Sequence, residues 1–309
     1  MDMRAADAAV PVLYIGGYGR SGSTVIDMAL GQLPGIFGAG ELGNLARHVW
    51  ENDEYCACGA RVRECAIWSR IVERWLEQEP VGTLGRYGAL AERIEALRNP
   101  LAVIGVTASG SDFREYARLT RKLYLAIRET TGCDIIIDSS KSPSRALALS
   151  RVPGLDLSLL HLVRDGRGVA WSMMKTHDVN PSAGVQRPVG GNPALRTAHR
   201  WIVFNLLTEF ATSRIPGNRS IRLRYEDFTA DPFGALAPVL KMLDVAAAAQ
   251  TSTAFDEIVP EHQVAGSRVR MGGPLRISRD ASWEQHMPRA DRSKVERRAV
   301  RLLRRYGYV

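Results

Sequence analysis

The sequence predicts an α/β fold: a central, mostly parallel sheet between layers of helices, three layers in all, with helical insertions. Two observations carry that prediction. Short apolar runs at 12–15, 133–138, 157–163 and 220–224 alternate with segments of helical spacing, and each run ends in a polar or glycine-rich cluster. The first run breaks at glycines and re-enters an apolar stretch over 25–30, which reads as strand, loop and helix. The composition allows such a core, with 45% hydrophobic and 24% charged residues in 309. No repeat, low-complexity tract or boundary stands out, so a single domain over 1–309 is expected, with 51–131 as a helical, Cys-containing insertion.

The first loop reads Gly17-Tyr18-Gly19-Arg20-Ser21-Gly22-Ser23-Thr24. Glycines let successive backbone N–H groups turn toward one point, and the helix start adds its positive dipole end, which suits phosphate or sulfate. The loop is P-loop-like: it nearly fits G-x-x-x-x-G-K-[ST], with Gly17, Gly22 and Thr24 in place, but Ser23 occupies the lysine position. That change argues against an ordinary Mg-nucleotide hydrolase or kinase, in which the lysine reaches the transferred phosphate. Arg20 supplies a cation from within the loop instead.

Residues 1–11 lack an apolar core flanked by positive charge, and no apolar run is long enough to span a bilayer. The expected setting is therefore cytoplasmic, with no integral membrane segment. A second helix is expected from about 41 to 50, with Glu41 early in it, where a carboxylate complements the helix dipole. Cys56, Cys58 and Cys65 follow within ten residues, and Cys133 lies elsewhere. C-x-C lacks the usual two-residue zinc-knuckle spacer, and only His48 is near in sequence as a fourth ligand. Metal, a local disulfide and packed reduced thiols all remain open, the last favoured by the cytosolic reading.

Apolar stripes at Ile67/Ile71/Trp75, Leu90/Ile94/Leu97 and Tyr116/Leu119/Leu123/Ile127 predict helices with core faces, broken at Pro80-Val81-Gly82, Asn99-Pro100 and Ser109-Gly110. The strand over 133–138 ends in Asp138-Ser139-Ser140-Lys141, and that over 157–163 ends in Arg164-Asp165-Gly166-Arg167. The strand over 220–224 runs into Tyr225-Glu226-Asp227. Polar clusters beyond parallel strand ends mark the ligand edge of such a sheet. Asp138 ends its strand as a metal-binding acid would, yet without the loop lysine a structural or loop-ordering role is expected. The stretch 180–191, with Pro181, Pro188 and paired glycines, reads as a mobile loop.

Net charge is +8, and residues 264–309 hold twelve Arg/Lys against four Asp/Glu. Arg outnumbers Lys 36 to 5, which suits bidentate oxyanion binding. The basic C-terminal part admits nucleic acid as a partner, but no aromatic-interleaved basic stripe or recognised motif supports it.

The Arg20-Ser21-Gly22-Ser23-Thr24 loop, taken with Leu162-Val163-Arg164-Asp165-Gly166-Arg167-Gly168-Val169-Ala170-Trp171-Ser172, resembles the sulfotransferases. Asp138–Lys141, Arg224–Phe228, Trp283 with the closing basic helix, and the Cys56/Cys58/Cys65 segment look like the bacterial and carbohydrate-type branch. Both motifs and Glu41 are also similar to the protein-tyrosine sulfotransferases. The resemblance implies transfer of a sulfuryl group from 3′-phosphoadenosine-5′-phosphosulfate (PAPS) to a small-molecule, carbohydrate, lipid or peptide acceptor, leaving adenosine 3′,5′-bisphosphate (PAP). It implies that Arg20, Ser21, Gly22, Ser23 and Thr24 grip the phosphosulfate, and that Arg164 with Ser172 holds the 3′-phosphate. Tyr225 would pack beside the adenine, and Glu41 would be the catalytic base.

Sulfuryl transfer, like phosphoryl transfer, needs positioning and electrostatic stabilisation more than covalent help, and no metal is required. Lys141 could reach the sulfuryl oxygens. His161 rivals Glu41 by residue type, but its place inside a strand favours a packed core histidine; His48, His177 and His262 are weaker rivals. The 262–270 segment departs from the relatives, with Ser267 after Gly266 where asparagine is expected; Arg268 or Arg270 could add a phosphate contact there. An ATP/Mg-dependent small-molecule kinase using the same loop, with Asp138 on the metal, is the enzymatic alternative.

Overall fold

The computed structural model describes residues 9–96, 110–180, 188–245 and 255–309. Leu97, Asn99-Pro100, Ser109 and most of the expected 180–191 loop lie outside the described residues, as do the first eight residues.

Five parallel strands form one sheet in the order β2-β3-β1-β4-β5. They are β1 (Val10–Gly16), β2 (Ile36–Gly38), β3 (Ile135–Lys141), β4 (Leu155–Val163) and β5 (Ser220–Arg224). Central β1 sets Tyr14 beside Asp138 and Gly16 beside both Lys141 and His161, with an irregularity between Tyr14 and Gly16 on the β3 side. Pro11 is tolerated in a central strand because pairing to β3 begins only at Val12. Since all strands run the same way, their carboxyl ends share one edge. The chain leaves β1 with neighbours on either side, which opens a crevice there.

Alternation along β1 assigns the two faces. Val10, Val12 and Tyr14 join Trp68, Trp75, Tyr116, Leu123 and Leu147 on one side, whereas Leu13 and Ile15 join Ile26, Leu30, Leu236 and Leu240 on the other. The first layer comprises α2 (Trp68–Leu76), α3 (Thr83–Ile94), α4 (Ser111–Thr131) and α5 (Pro143–Leu149). The opposite layer is built from α1 (Ser23–Gly31) and α9 (Pro232–Met242), with the short α8 (Tyr225–Ala230) between β5 and α9. The described residues of 51–131 thus supply much of one layer over the sheet. Beyond β4, α6 (Gly166–Met174), α7 (Ala194–Thr212), α10 (Trp283–His286) and α11 (Arg289–Arg305) close that end around Trp201, Leu303 and Tyr306.

One expectation is corrected, and one strand is an addition to the reading. The segment after Gly40 is not an α-helix: Leu42–Asn44 is a 3₁₀ turn and Leu45–Val49 a π-type turn. Gly40 is left-handed (φ 79°), and Ser140 Oγ accepts the Gly43 N–H at 2.8 Å, which bends the backbone toward β3. Strand β2 has no counterpart in the sequence reading. It is three residues long and holds its edge by pairing Ile36–Gly38 with Ile135–Ile137.

Candidate active site

At the end of β1 the chain turns at Gly17 (φ 139°), where a Cβ would stand 2.3 Å from the Leu162 carbonyl oxygen. Arg20 and Gly22 are also left-handed, at φ 67° and 94°. Ser21 fastens the loop by donating its hydroxyl to the Tyr18 carbonyl at 2.7 Å. Helix α1 then starts at Ser23 without a side-chain cap, so its first N–H groups are left for an acceptor from outside the helix. A cavity of about 320 Å³ lies there, lined by Arg20, Ser23, Thr24, Lys141, Arg164 and Tyr225 among others.

The two sequence motifs meet at this cavity. Arg20 Nε donates to Ser172 Oγ at 3.0 Å, and Arg164 Nη1 donates to the Arg20 carbonyl at 3.0 Å. Arg164 also bonds the Asp280 carbonyl and carboxylate, at 3.0 and 3.1 Å, with its guanidinium 4.5 Å from the centre of the Tyr225 ring. Burial raises the Asp280 carboxyl, but hydrogen bonds from Ser282 and Arg164 outweigh it and hold it at about 2. The neighbouring acids Asp165 and Glu226 are engaged elsewhere. Asp165 caps α6 and pairs with Arg167 at 2.7 Å, and Glu226 accepts the Asp165 N–H and the Tyr308 hydroxyl. Burial pushes the Arg20 guanidinium below its ordinary value, and Arg268 and Arg164 push it further. Cations so placed repel one another, and an anion among them relieves that repulsion.

Glu41 sits just before the 3₁₀ turn, its N–H bonded to the Val264 carbonyl at 2.8 Å. Lys141, itself left-handed at φ 70°, donates Nζ to Glu41 Oε1, and Asn44 donates to Oε2 at 2.8 Å. Both side chains of the ion pair keep some exposure, 14% for Glu41 and 17% for Lys141. Gly266 packs beside them, where a Cβ would lie 3.4 Å from Glu41 Oε1 and 3.0 Å from Thr24 Oγ1. The Ser267 N–H donates to Thr24 Oγ1 at 3.1 Å, so the 262–270 segment lies over the start of α1.

Asp138 is wholly buried and accepts from Tyr124 at 2.7 Å, Arg145 at 2.9 Å and the Ser140 N–H at 3.0 Å. Ser140 in turn holds Gly43. This network orders the turn that carries Glu41 and leaves Asp138 no open face toward the loop. His161 is buried, bonded through Nε2 to Asn205 at 3.0 Å, and pushed down to about 4 by that burial. A second cavity, of about 310 Å³, shares Arg20, Glu41 and Ser172 with the first and adds Glu54, His177 and Arg268. Val189 and Gly190, from the described end of the expected loop, line it too, with Asn192 just beyond that loop.

Arg268 faces this second cavity and acts electrostatically on Arg20. Arg270 also lines it but is 1% exposed, and burial pushes its guanidinium down against the opposing pull of Cys56, Glu54 and Glu41. Sequence reasoning did not anticipate Asp280 as the partner of Arg164, because an exposed acid in a basic segment carries no signal of its own. It also took His48 as the histidine nearest Cys56, whereas the structure brings His262 to the cysteines. In the basic C-terminal helix, Arg292 and Lys294 pair with Glu296 and Asp291, and Arg305 with Glu209, so several of those cations are already engaged. Among the described residues no helix is long and apolar enough to cross a membrane.

A search of curated proteins finds no match. Among solved structures, the sulfotransferase domain from the curacin biosynthetic pathway is 17% identical with a TM-score of 0.51, covering 96% of this chain and 98% of its own. The sulfotransferase domain from the Synechococcus PCC 7002 olefin synthase is 18% identical with a TM-score of 0.46, covering 98% and 96%. Sulfotransferase STF9 from Mycobacterium avium is 14% identical with a TM-score of 0.48, covering 98% and 78%. The first of these shares the fold. The profile of the sulfotransferase family matches residues 11–249, well over half of the chain. This protein belongs to the sulfotransferase family.

Proposed function

We propose that this chain moves a sulfuryl group from PAPS to an acceptor hydroxyl, less often an amine, of a small-molecule, carbohydrate, lipid or peptide substrate. The observation that carries the reading is the junction of the two motifs: Arg20 to Ser172 at 3.0 Å and Arg164 to the Arg20 carbonyl at 3.0 Å. It brings together, at one cavity, a helix start and guanidinium groups suited to a donor with two separate anionic ends. In this reading Arg20, Ser21, Gly22, Ser23 and Thr24 hold the phosphosulfate, Arg164 and Ser172 hold the 3′-phosphate, and Tyr225 flanks the adenine. Arg268, which acts on Arg20, is a further candidate contact for the donor, and Arg270 is a more remote one.

The acceptor approaches from the second cavity, which meets the first at Glu41 and Arg20. Its oxygen attacks sulfur as the bond from sulfur to the phosphate oxygen breaks. The hydroxyl proton passes to the Glu41 carboxylate, and PAP leaves with the electron pair. Charge that develops on the sulfuryl oxygens is met by Lys141 and Arg20, and charge on the leaving phosphate by the N–H groups from Gly22 to Thr24. The commitment of Asp138 to Tyr124, Arg145 and Ser140 leaves a kinase-type magnesium acid without support.

The test is a thermal-shift titration with PAP, beside ATP with and without magnesium. A ligand that binds only the native state raises the unfolding temperature with its concentration. PAP is expected to stabilise the chain without metal, and Arg164→Ala to weaken PAP binding about 10- to 100-fold, the loss of a charge-assisted contact. Stabilisation by Mg-ATP alone would sink this reading.

A further inference from the structure

Cys56, Cys58, Cys65 and His262 have no part in the reaction above, yet they converge. Their four ligand-type atoms, three Sγ and the His262 ring nitrogen, all lie within 4.8 Å of one another. Cys56 and Cys65 sulfurs are 3.7 Å apart, and so are those of Cys58 and Cys65. His262 Nδ1 is 3.3 Å from the Cys65 sulfur and 3.8 Å from the Cys56 sulfur. A disulfide would bring two sulfurs to about 2.05 Å, and all four cysteines of the chain are free thiols. The separations fit a different arrangement. Around a tetrahedral zinc ion, with bonds of about 2.3 Å to sulfur and about 2.0 Å to nitrogen, sulfurs stand about 3.8 Å apart and sulfur and nitrogen about 3.5 Å.

Local structure builds this cluster on purpose-shaped backbone. Cys56 and Cys58 lie on a tight turn in which the Gly59 N–H donates to the Cys56 carbonyl at 3.0 Å and the Cys56 N–H to the Ala60 carbonyl at 2.9 Å. Gly59 takes the left-handed conformation (φ 88°) that closes such a turn. Cys65 is presented by a second turn, its N–H bonded to the Arg61 carbonyl at 2.8 Å. His262 arrives from far along the chain and is fixed by Trp68 Nε1 donating to its carbonyl at 2.5 Å. Three thiolates and one zinc leave a net charge of −1. Buried Arg270, whose Nε has no hydrogen-bond partner among the described residues, is near enough to feel Cys56 and Cys58 electrostatically.

We propose that Cys56, Cys58, Cys65 and His262 bind a zinc ion in a closed structural site that staples the 54–65 turns to the strap at 262–267. The strap is the piece that reaches the active site. Val264 pairs with Gly40 and accepts the Glu41 N–H, Gly266 packs on Thr24 and Glu41, and the Ser267 N–H holds Thr24. Zinc is favoured over harder cations because the donors are thiolates and an imidazole, and four ligands leave it no open position for catalysis. The proposal stands on the cluster and does not depend on the identity of the sulfuryl donor.

The experiment is metal analysis of the full chain after gel filtration away from loose ions, with cobalt substitution as a second readout. One zinc per chain is expected, retained in Cys133→Ser, lost in Cys58→Ser, whose wild-type cysteine is exposed, and retained in His262→Cys, which keeps four soft ligands. Cobalt-loaded wild-type chain should show thiolate-to-metal charge-transfer bands and the intense visible bands of a tetrahedral site. This readout decides the matter even where a variant fails to fold. A folded, zinc-supplemented chain without stoichiometric metal would overturn the proposal. So would zinc content unchanged by Cys58→Ser, which marks an adventitious ion, or a disulfide found by mass spectrometry under non-reducing conditions.

Discussion

Glu41 lines both cavities and pairs with Lys141, which lines the first, and each has a reason to be there that the other does not supply. A carboxylate bonded to a lysine at rest can take up an acceptor's proton only if the acceptor's oxygen comes within hydrogen-bond reach of its other oxygen, which Asn44 now holds at 2.8 Å. Glu41→Gln keeps the shape and the Asn44 neighbour but removes the base. It is expected to lower kcat by about 100- to 10,000-fold while PAP affinity stays near wild type. Turnover near wild type in that variant would take Glu41 out of the mechanism. Lys141→Met separates two roles for the lysine. If Lys141 also stabilises the sulfuryl oxygens, the double variant loses more turnover than Glu41→Gln alone; a double variant no worse than Glu41→Gln would reduce Lys141 to a positioning residue for Glu41.

The unit formed by β1, its loop and α1 is shaped by close approaches as much as by chemistry. Gly22 combines a left-handed φ of 94° with the face of Tyr225, where a Cβ would stand 2.5 Å from the ring. Gly22→Ala is therefore expected to cost about 1–3 kcal/mol of stability and to displace Tyr225 from beneath Arg164, weakening PAP binding as well. Denaturant unfolding with an unchanged midpoint would mean that Tyr225 yields freely. This element was legible in the sequence because its requirements fall on residue types with few substitutes: glycines at the turn, an arginine inside it, an apolar strand before and an apolar helix after. Strand β2 was not legible, since three residues at a sheet edge carry no period. The Glu41 turn was misread as α-helix because its geometry comes from Ser140 on another strand, which no local pattern reveals. His262 was likewise invisible as the partner of Cys65, 197 positions away in the chain.

At the scale of the whole molecule, the site rests on ionisable groups buried beneath it, and one of them, Asp27, makes stability depend on pH. Arg145 lies at the centre of one such set, bonded to Asp138 and Glu95, all three buried. Asp27 on α1 is another. It is wholly buried, accepts the Gly40 N–H at 3.1 Å from beneath the Glu41 turn, and burial raises its carboxyl from 3.8 to about 7, against the opposing pull of Ser139, that N–H and Lys141. An acid raised in the folded state binds a proton that the unfolded chain has already released. Between about pH 4 and pH 7 the folded form therefore holds more protons at this site, and stability falls as pH rises through that window. The full shift sets a ceiling of about 4 kcal/mol on the contribution, at 1.36 kcal/mol per unit. Asp27→Asn keeps an acceptor for Gly40 and has no proton to lose. Its denaturation free energy, measured across the same window, should lose that downward slope and exceed that of the wild type at pH 7. Parallel pH profiles for the two proteins would mean that Asp27 carries its charge in the folded state without penalty.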